Sequence, residues 1–242
     1  VPNLEDLPDA GTSNRSLVNL YNAILAKNSS ELVPKITING QTSDLYQLTD
    51  CLLPQRATEH NGHTQMVSVV KINLDNPMNF SSLCLLTEAH GLFASADHLY
   101  LHARGEESTI VHKISLGNEI RYQATASVVG TLGWQSSAQF RLAERDGKLL
   151  AVPTVGAWSQ DPEHMLHILE QHGSELVEIA TLPNESQPAP SGKPGEAIYA
   201  VRFFEDRAFI VTFEQVDPLY VIDLKDLYAP MVAGELEIPG FS

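Results

Sequence analysis

The chain has 242 residues and is acidic, with 15 Lys and Arg against 30 Asp and Glu and a formal net charge of −15. Proteins that neutralise phosphates carry clustered basic side chains, so this charge argues against nucleic acid and against an anionic membrane surface as partners. Hydrophobic residues make up 43% of the sequence, which is enough for a folded core. No run of about 18 apolar residues occurs, so we expect no membrane insertion.

The first 45 residues differ from the rest of the chain. The sequence begins Val-Pro-Asn without an initiating Met, which we interpret as a mature or trimmed form. After an irregular start, Ser13 or Asn14 is placed to cap a helix. The apolar face of that helix comprises Leu17, Leu20, Tyr21, Ile24 and Leu25. We therefore predict an irregular and helical segment over 1–45, followed by the main domain over 46–242.

From about residue 64 the hydrophobic period becomes two, in short β-rich runs separated by turn residues. Fourteen such runs without a long helix between them predict an antiparallel all-β architecture, because parallel strands need long crossovers. The predicted strands are Met66–Leu74, Ser82–Leu86, Gly91–Ser95, His98–His102, Thr109–Leu116, Tyr122–Val129, Ala138–Ala143, Lys148–Val155, Met165–Leu169, Leu176–Leu182, Ala197–Phe204, Arg207–Phe213, Leu219–Leu224 and Val232–Ile238.

The strands repeat as a larger unit. Three strand pairs, at 93–101, 141–152 and 201–211, are each joined by a tight acidic turn. A second apolar strand unit occurs four times along the chain, and its leucines recur at intervals of 42, 53 and 55 residues (Leu74, Leu116, Leu169 and Leu224). The shortest interval matches a four-stranded propeller blade of about 40–45 residues. An ordinary β-sandwich with similar hairpins is the alternative.

This spacing predicts a partial β-propeller of four-stranded antiparallel blades. We place a partial first blade at 66–86 and whole blades at about 90–129, 138–182 and 197–238. Stacked blades bury both faces of each sheet, which explains why several strands are apolar on both faces.

The C-terminal run 195–242 reads GEAIYAVRFFEDRAFIVTFEQVDPLYVIDLKDLYAPMVAGELEIPGFS. It closely resembles the bacterial secreted β-propeller domain family, distantly related to WD40 propellers, whose members typically read GERIYSVRFxGDRxYVVTFxQVDPLxVIDLxDPxxPxxxGELxIPGFS. The upstream stretches VVKINLDNPMN, GLFASADHLYL and IVHKISL and the VxGTL element at 128–132 fit the same family. The resemblance covers about 45–242 and departs from the family where its Asp-Pro pair reads Asp226-Leu227 here.

The resemblance implies a β-propeller that is secreted or lies in the bacterial cell envelope, and it implies no particular activity. Members of the family continue into further blades, whereas this sequence ends at Ser242. About three and a half blades do not close a ring of about four to eight. We therefore expect a protein partner or a second copy of the chain, the latter forming a self-assembling half-propeller.

Binding is the function that the sequence favours. The C-terminal run that resembles the family contains the polar residues Arg202, Gln215 and Asp217. Two aromatic residues, Trp134 and Trp158, lie in predicted loops. Because a propeller presents its loops on a rigid frame, we predict these five as binding residues. We expect a non-catalytic secreted or envelope-associated binding or scaffold module.

Motifs for catalysis are not found. The sequence has no GxSxG elbow, no GxGxxG loop and no HExxH pair, so we assign no catalytic residue, no cofactor and no metal. The loop Glu59–His63 holds two histidines, and His90, His98 and His102 could converge at one end of a blade. The alternative function is a metal-dependent propeller hydrolase or lyase, which needs at least three His, Asp or Glu around the channel.

The two cysteines, Cys51 and Cys84, are too few for a disulfide-stapled scaffold. They could pair in an oxidising compartment. Buried free thiols are the commoner arrangement, and the sequence favours that interpretation here.

Overall fold

A computed structural model describes residues 31, 33–53, 65–105, 107–133, 138–159, 161–189, 192, 195–213 and 217–238. The described residues form 18 β-strands and two short 3-10 turns. The helix predicted after Ser13 lies outside these residues. Within the described ranges, no helix has the length and hydropathy needed to cross a membrane. The all-β fold class predicted from the sequence is confirmed.

The chain divides into two compact units, one of residues 1–56 with 63–87 and one of 57–62 with 88–242. The first unit contains two antiparallel hairpins, β1 (Lys35–Ile38) with β2 (Gln41–Asp44) and β3 (Met66–Ile72) with β4 (Phe80–Leu86). The β1–β2 hairpin was not predicted. It turns on Asn39 and Gly40, whose φ angles are 52° and 80°, as a two-residue hairpin turn requires.

A disulfide joins Cys51 to Cys84, so the prediction of free thiols is wrong. Leu52 forms a parallel bridge with Leu85, and its backbone N–H donates to the Cys84 carbonyl at 2.9 Å. This backbone pairing brings the two cysteine Cα atoms to 4.5 Å, well within the range a disulfide spans. A pairing between segments 33 residues apart leaves no local pattern in the sequence.

The second unit consists of three blades, each an antiparallel meander of four strands. Blade A contains β5 (Gly91–Ala94), β6 (His98–Arg104), β7 (Ser108–Ser115) and β8 (Arg121–Val129). Blade B contains β9 (Leu142–Arg145), β10 (Lys148–Ala151), β13 (Leu166–His172) and β14 (Glu175–Leu182). Blade C contains β15 (Ala197–Phe204), β16 (Arg207–Phe213), β17 (Asp217–Asp223) and β18 (Met231–Ile238). A short pair, β11 (Thr154–Val155) with β12 (Glu163–His164), is inserted between β10 and β13.

Blade B is buried on both faces, as the propeller prediction requires. Along β10, Leu149 packs into a cluster with residues of blade A such as Tyr100, whereas Leu150 packs with residues of blade C such as Ile210. The two leucines are 0% and 1% exposed. Because successive strand residues point to opposite faces, this alternation stacks the three sheets face to face. Most backbone ladder bonds of the described residues stay within one blade, and blades A and B are linked by the parallel pair Thr125 with Glu175 and by an antiparallel bridge between Thr131 and Thr154.

One predicted strand is wrong. The run Ala138–Ala143 begins as a 3-10 turn over Ala138–Arg141, and β9 starts only at Leu142. Ala138 and Arg141 are both buried, at 0% and 8% exposure. The Arg141 side chain hydrogen-bonds Thr154 in the described structure, and the turn gives it this inward position.

Candidate functional site

The three blades share an edge at which a pocket forms. In an antiparallel meander the first and third strands start, and the second and fourth end, at the same edge of the sheet. A pocket of about 400 Å³ lies at this edge. It is enclosed by the start of β5, the end of β6, the β11–β12 insertion and the start of β15. The pocket therefore receives residues from all three blades, on a frame that their packing holds in place.

Arg141 supplies the charge inside this pocket. Its Nη1 donates to the Thr154 hydroxyl at 3.1 Å and its Nη2 donates to the Ile198 carbonyl at 3.4 Å. Burial lowers the pKa of the guanidinium to about 10, so the group remains charged at neutral pH. Among the residues that the structure describes, no carboxylate pairs with it. Burying a charge that has only neutral partners costs free energy, so a stably folded protein does not usually keep such an arginine without a function.

His164 completes a directional chain of hydrogen bonds with Arg141. Its Nε2 lies 2.9 Å from the Glu196 carbonyl oxygen, which can only accept, so we assign the ring proton to Nε2. Nδ1 then accepts from the Thr154 hydroxyl at 3.1 Å, and that hydroxyl in turn accepts from Arg141. Burial lowers the pKa of His164, and the Arg141 charge adds to the effect. The imidazole is neutral at pH 7 and fixes the hydroxyl that holds the guanidinium.

The hydrogen bonds of His164 predict that the stability of the protein depends on pH. Because the folded pKa of His164 lies below the ordinary 6.5, the unfolded chain takes up the proton first as the pH falls. The contribution of neutral His164 to the free energy of unfolding is complete above about pH 6.5 and is lost as the pH falls through the folded pKa. The free energy of unfolding falls by up to about 1.4 kcal/mol per pH unit in this range. Burial lowers the pKa of His102 and His112 as well, so the wild-type slope contains their contributions too.

We therefore expect His164→Gln to flatten the fall in the free energy of unfolding between about pH 7 and pH 5. Urea denaturation at a series of pH values measures it. The exposed Val129, outside this network and without a titrating group, provides a control substitution, Val129→Gln, that leaves the slope close to wild type. Equal slopes for wild type and His164→Gln would show that His164 does not titrate below its ordinary pKa.

The mouth of the pocket combines an aromatic ring with a second arginine. Trp158 is 66% exposed, and the Arg104 guanidinium carbon lies 5.3 Å from the centre of its ring. The Arg104 backbone N–H donates to Nδ1 of His90 at 2.9 Å. The loop that carries Trp158 turns at Gly156, where φ is +60°. The mouth thus offers a flat apolar face next to a cation.

The predicted binding residues do not all meet at this pocket. Trp158 lines it. Arg202 lies outside it, exposed on β15, with its guanidinium carbon 4.4 Å from the centre of the Phe140 ring. Trp134 and Gln215 lie outside the described residues, and Asp217 is described only as the first residue of β17. No motif marked Arg141 or His164; the available signal for Arg141 was a basic residue inside the apolar run AQFRLA.

Of the three histidines expected to converge at one end of a blade, His90 and His102 lie together and His98 does not. His90 pairs with His102 through a backbone hydrogen bond of 2.8 Å at the pocket edge. His98 begins β6 at the opposite edge, where its Nδ1 lies 2.8 Å from Glu144. The loop Glu59–His63 lies outside the described residues. Within the described ranges, no group of three or more His, Cys, Asp or Glu could hold a metal ion, so the metal-dependent alternative finds no ligand set there.

Comparisons with known proteins agree with this architecture. The family model described as "Beta propeller domain" matches residues 12–242. The fold defines a propeller protein, and the chain belongs to the β-propeller domain family. The resemblance to a propeller family is thereby confirmed, whereas a bacterial and secreted origin stays a prediction.

The similar proteins are archaeal and uncharacterised. One, from Methanocaldococcus jannaschii, is 40% identical over 105 residues, which cover 43% of this chain and 15% of the relative. Another, from Archaeoglobus fulgidus, is 37% identical over 141 residues, which cover 58% of this chain and 20% of the relative. The chain thus matches a fifth or less of the length of these curated relatives.

Proposed function

We propose that this chain is a non-catalytic binding module that takes its ligand in the pocket at the shared edge of the three blades. The observation that carries the proposal is the pocket itself. Its volume of about 400 Å³ lies within the range of small-ligand sites. Apolar side chains such as Ile198 and Pro162 surround a few fixed polar groups, which is the usual composition of such sites.

We propose a secreted or envelope-associated location for the module. The disulfide between Cys51 and Cys84 supports this, because disulfides persist in oxidising compartments. The expectation of a protein partner or a second copy of the chain stays a prediction.

Amide NMR with a library of defined small fragments tests the binding proposal. We expect binding fragments to shift the amide resonances of Thr131, Thr154 and Ile198 together. Ala197→Trp fills the pocket mouth and is expected to remove these shifts. Ala229→Trp, an exposed site in the β17–β18 turn, is the matched control and is expected to retain them. Fragments that shift only residues elsewhere, or that bind equally to both variants, would refute the pocket as the ligand site.

A further inference from the structure

We propose that the pocket recognises a carboxylate carried on an apolar or aromatic group, a proposal that rests on the binding function above. The central observation is the Arg141 guanidinium, 8% exposed and held by two neutral acceptors, Thr154 and the Ile198 carbonyl. A ligand anion would supply the counter-charge that the described residues do not.

The guanidinium is fixed before any ligand arrives. Thr154 and the Ile198 carbonyl orient its two terminal nitrogens, and Gly133 lies beside the guanidinium. A Cβ at Gly133, whose φ is +80°, would lie 3.3 Å from Nη2 and 3.4 Å from Cζ of Arg141. A side chain at this position would crowd the guanidinium. A planar fork of N–H donors held in one orientation suits a planar carboxylate.

Charge favours a monoanion over a phosphate group. Arg141 is the buried cation of the pocket, His164 is neutral in the hydrogen-bond chain described above, and the second arginine, Arg104, lies at the mouth against the Trp158 ring. A phosphate carries close to two charges at neutral pH and usually takes several cations or a row of backbone N–H groups. The net charge of −15 also repels polyanions at long range.

The remainder of the pocket fits an apolar body attached to that carboxylate. Ala157, Pro162 and Ile198 line the walls, and the exposed ring of Trp158 stands at the mouth. The Arg104 guanidinium carbon lies 5.3 Å from the centre of this ring, so a cation and an aromatic ring stand side by side at the mouth. A free small carboxylate and the C-terminal residue of a peptide share this chemistry.

Calorimetric titration with four probes tests the proposal. N-acetylphenylalanine carries both features, N-acetylphenylalaninamide lacks the carboxylate, inorganic phosphate lacks the apolar body, and Gly-Gly-Gly-Phe presents the same group as a peptide terminus. We expect the acid to bind about ten- to hundredfold more tightly than the amide, because a hydrogen-bonded charge pair is lost with the amide. We expect no competition from phosphate at equal concentration. Binding of the peptide as tight as that of the acid would assign the source to a chain terminus, and much weaker binding would assign it to a free small molecule.

Variants locate the site. Arg141→Met removes the charge and is expected to reduce affinity for the acid to that for the amide. Trp158→Ala changes an exposed residue, so it folds even where Arg141→Met does not, and it is expected to weaken both acid and amide severalfold. Arg121→Gln, an exposed arginine paired with Glu119 outside the pocket, is the control and is expected to bind as wild type.

The outcomes separate this proposal from the binding function. Equal affinity for acid and amide, or tighter binding of phosphate, would overturn carboxylate recognition while fragments that shift the pocket amides still support a ligand site there. Acid binding that is unchanged in both Trp158→Ala and Arg141→Met would also overturn it.

Discussion

Alanine at either Leu149 or Leu150 lowers the free energy of unfolding of the blade unit by about 2–5 kcal/mol. The two residues are neighbours on β10, and each is essentially inaccessible to solvent. In a sheet with one solvated face, one of two consecutive residues would be exposed and its truncation nearly neutral. In blade B both face a neighbouring sheet, Leu149 towards blade A and Leu150 towards blade C, so each truncation leaves a cavity.

Chemical denaturation of both variants measures the effect. Val129→Ala is the matched control, because Val129 is 54% exposed at the end of β8 and its truncation costs less than about 1 kcal/mol. A large loss for one leucine and a loss no greater than that of the control for the other would contradict the face-to-face stacking of three blades.

Removal of the Cys51–Cys84 disulfide destabilises the first unit by about 3–4 kcal/mol. The bond closes a loop with a sequence separation of 33, and the chain-entropy estimate for such a loop gives this magnitude. Cys51→Ser combined with Cys84→Ser removes the bond. Amide hydrogen exchange in β3 and β4 reports the opening free energy of the first unit by itself.

Reductant provides the internal control for this prediction. Dithiothreitol is expected to destabilise the wild type to the level of the double serine variant and to leave the variant itself unchanged. Exchange rates in β3 and β4 that are equal with and without the bond would show that the disulfide contributes nothing to the stability of the folded unit.

The blades could be predicted because their determinants are local. Period-two hydrophobicity, acidic turns such as that at Asp146 and the recurrence of whole units all lie in contiguous sequence. The predicted blades 90–129 and 197–238 correspond to meanders over Gly91–Val129 and Ala197–Ile238. The same repeat predicts that both faces of a central blade are buried, because a sheet stacked between two others has few residues exposed to solvent.

The disulfide and the pocket depend on contacts between segments that are distant in the sequence. Such contacts leave no local pattern in the sequence. Cys51 meets Cys84 beside an isolated parallel bridge that joins Leu52 to Leu85 of β4. Arg141 lies in the turn just before blade B, while its hydrogen-bond acceptor, the Ile198 carbonyl, lies at the start of blade C. The polar motif near the C-terminus contains Arg202, which stacks on Phe140 outside the pocket, whereas Arg141 is a single arginine in an apolar run.

The containment of ladder bonds within each blade has an evolutionary consequence. A blade gained by tandem duplication, or lost by deletion, would disturb little strand pairing in its neighbours beyond links such as Thr125–Glu175 and Thr131–Thr154, and the stacked apolar surfaces would have to match. A propeller built in this way can therefore change in length by whole blades, and the loops at the blade edges can vary without changing the strand pairing.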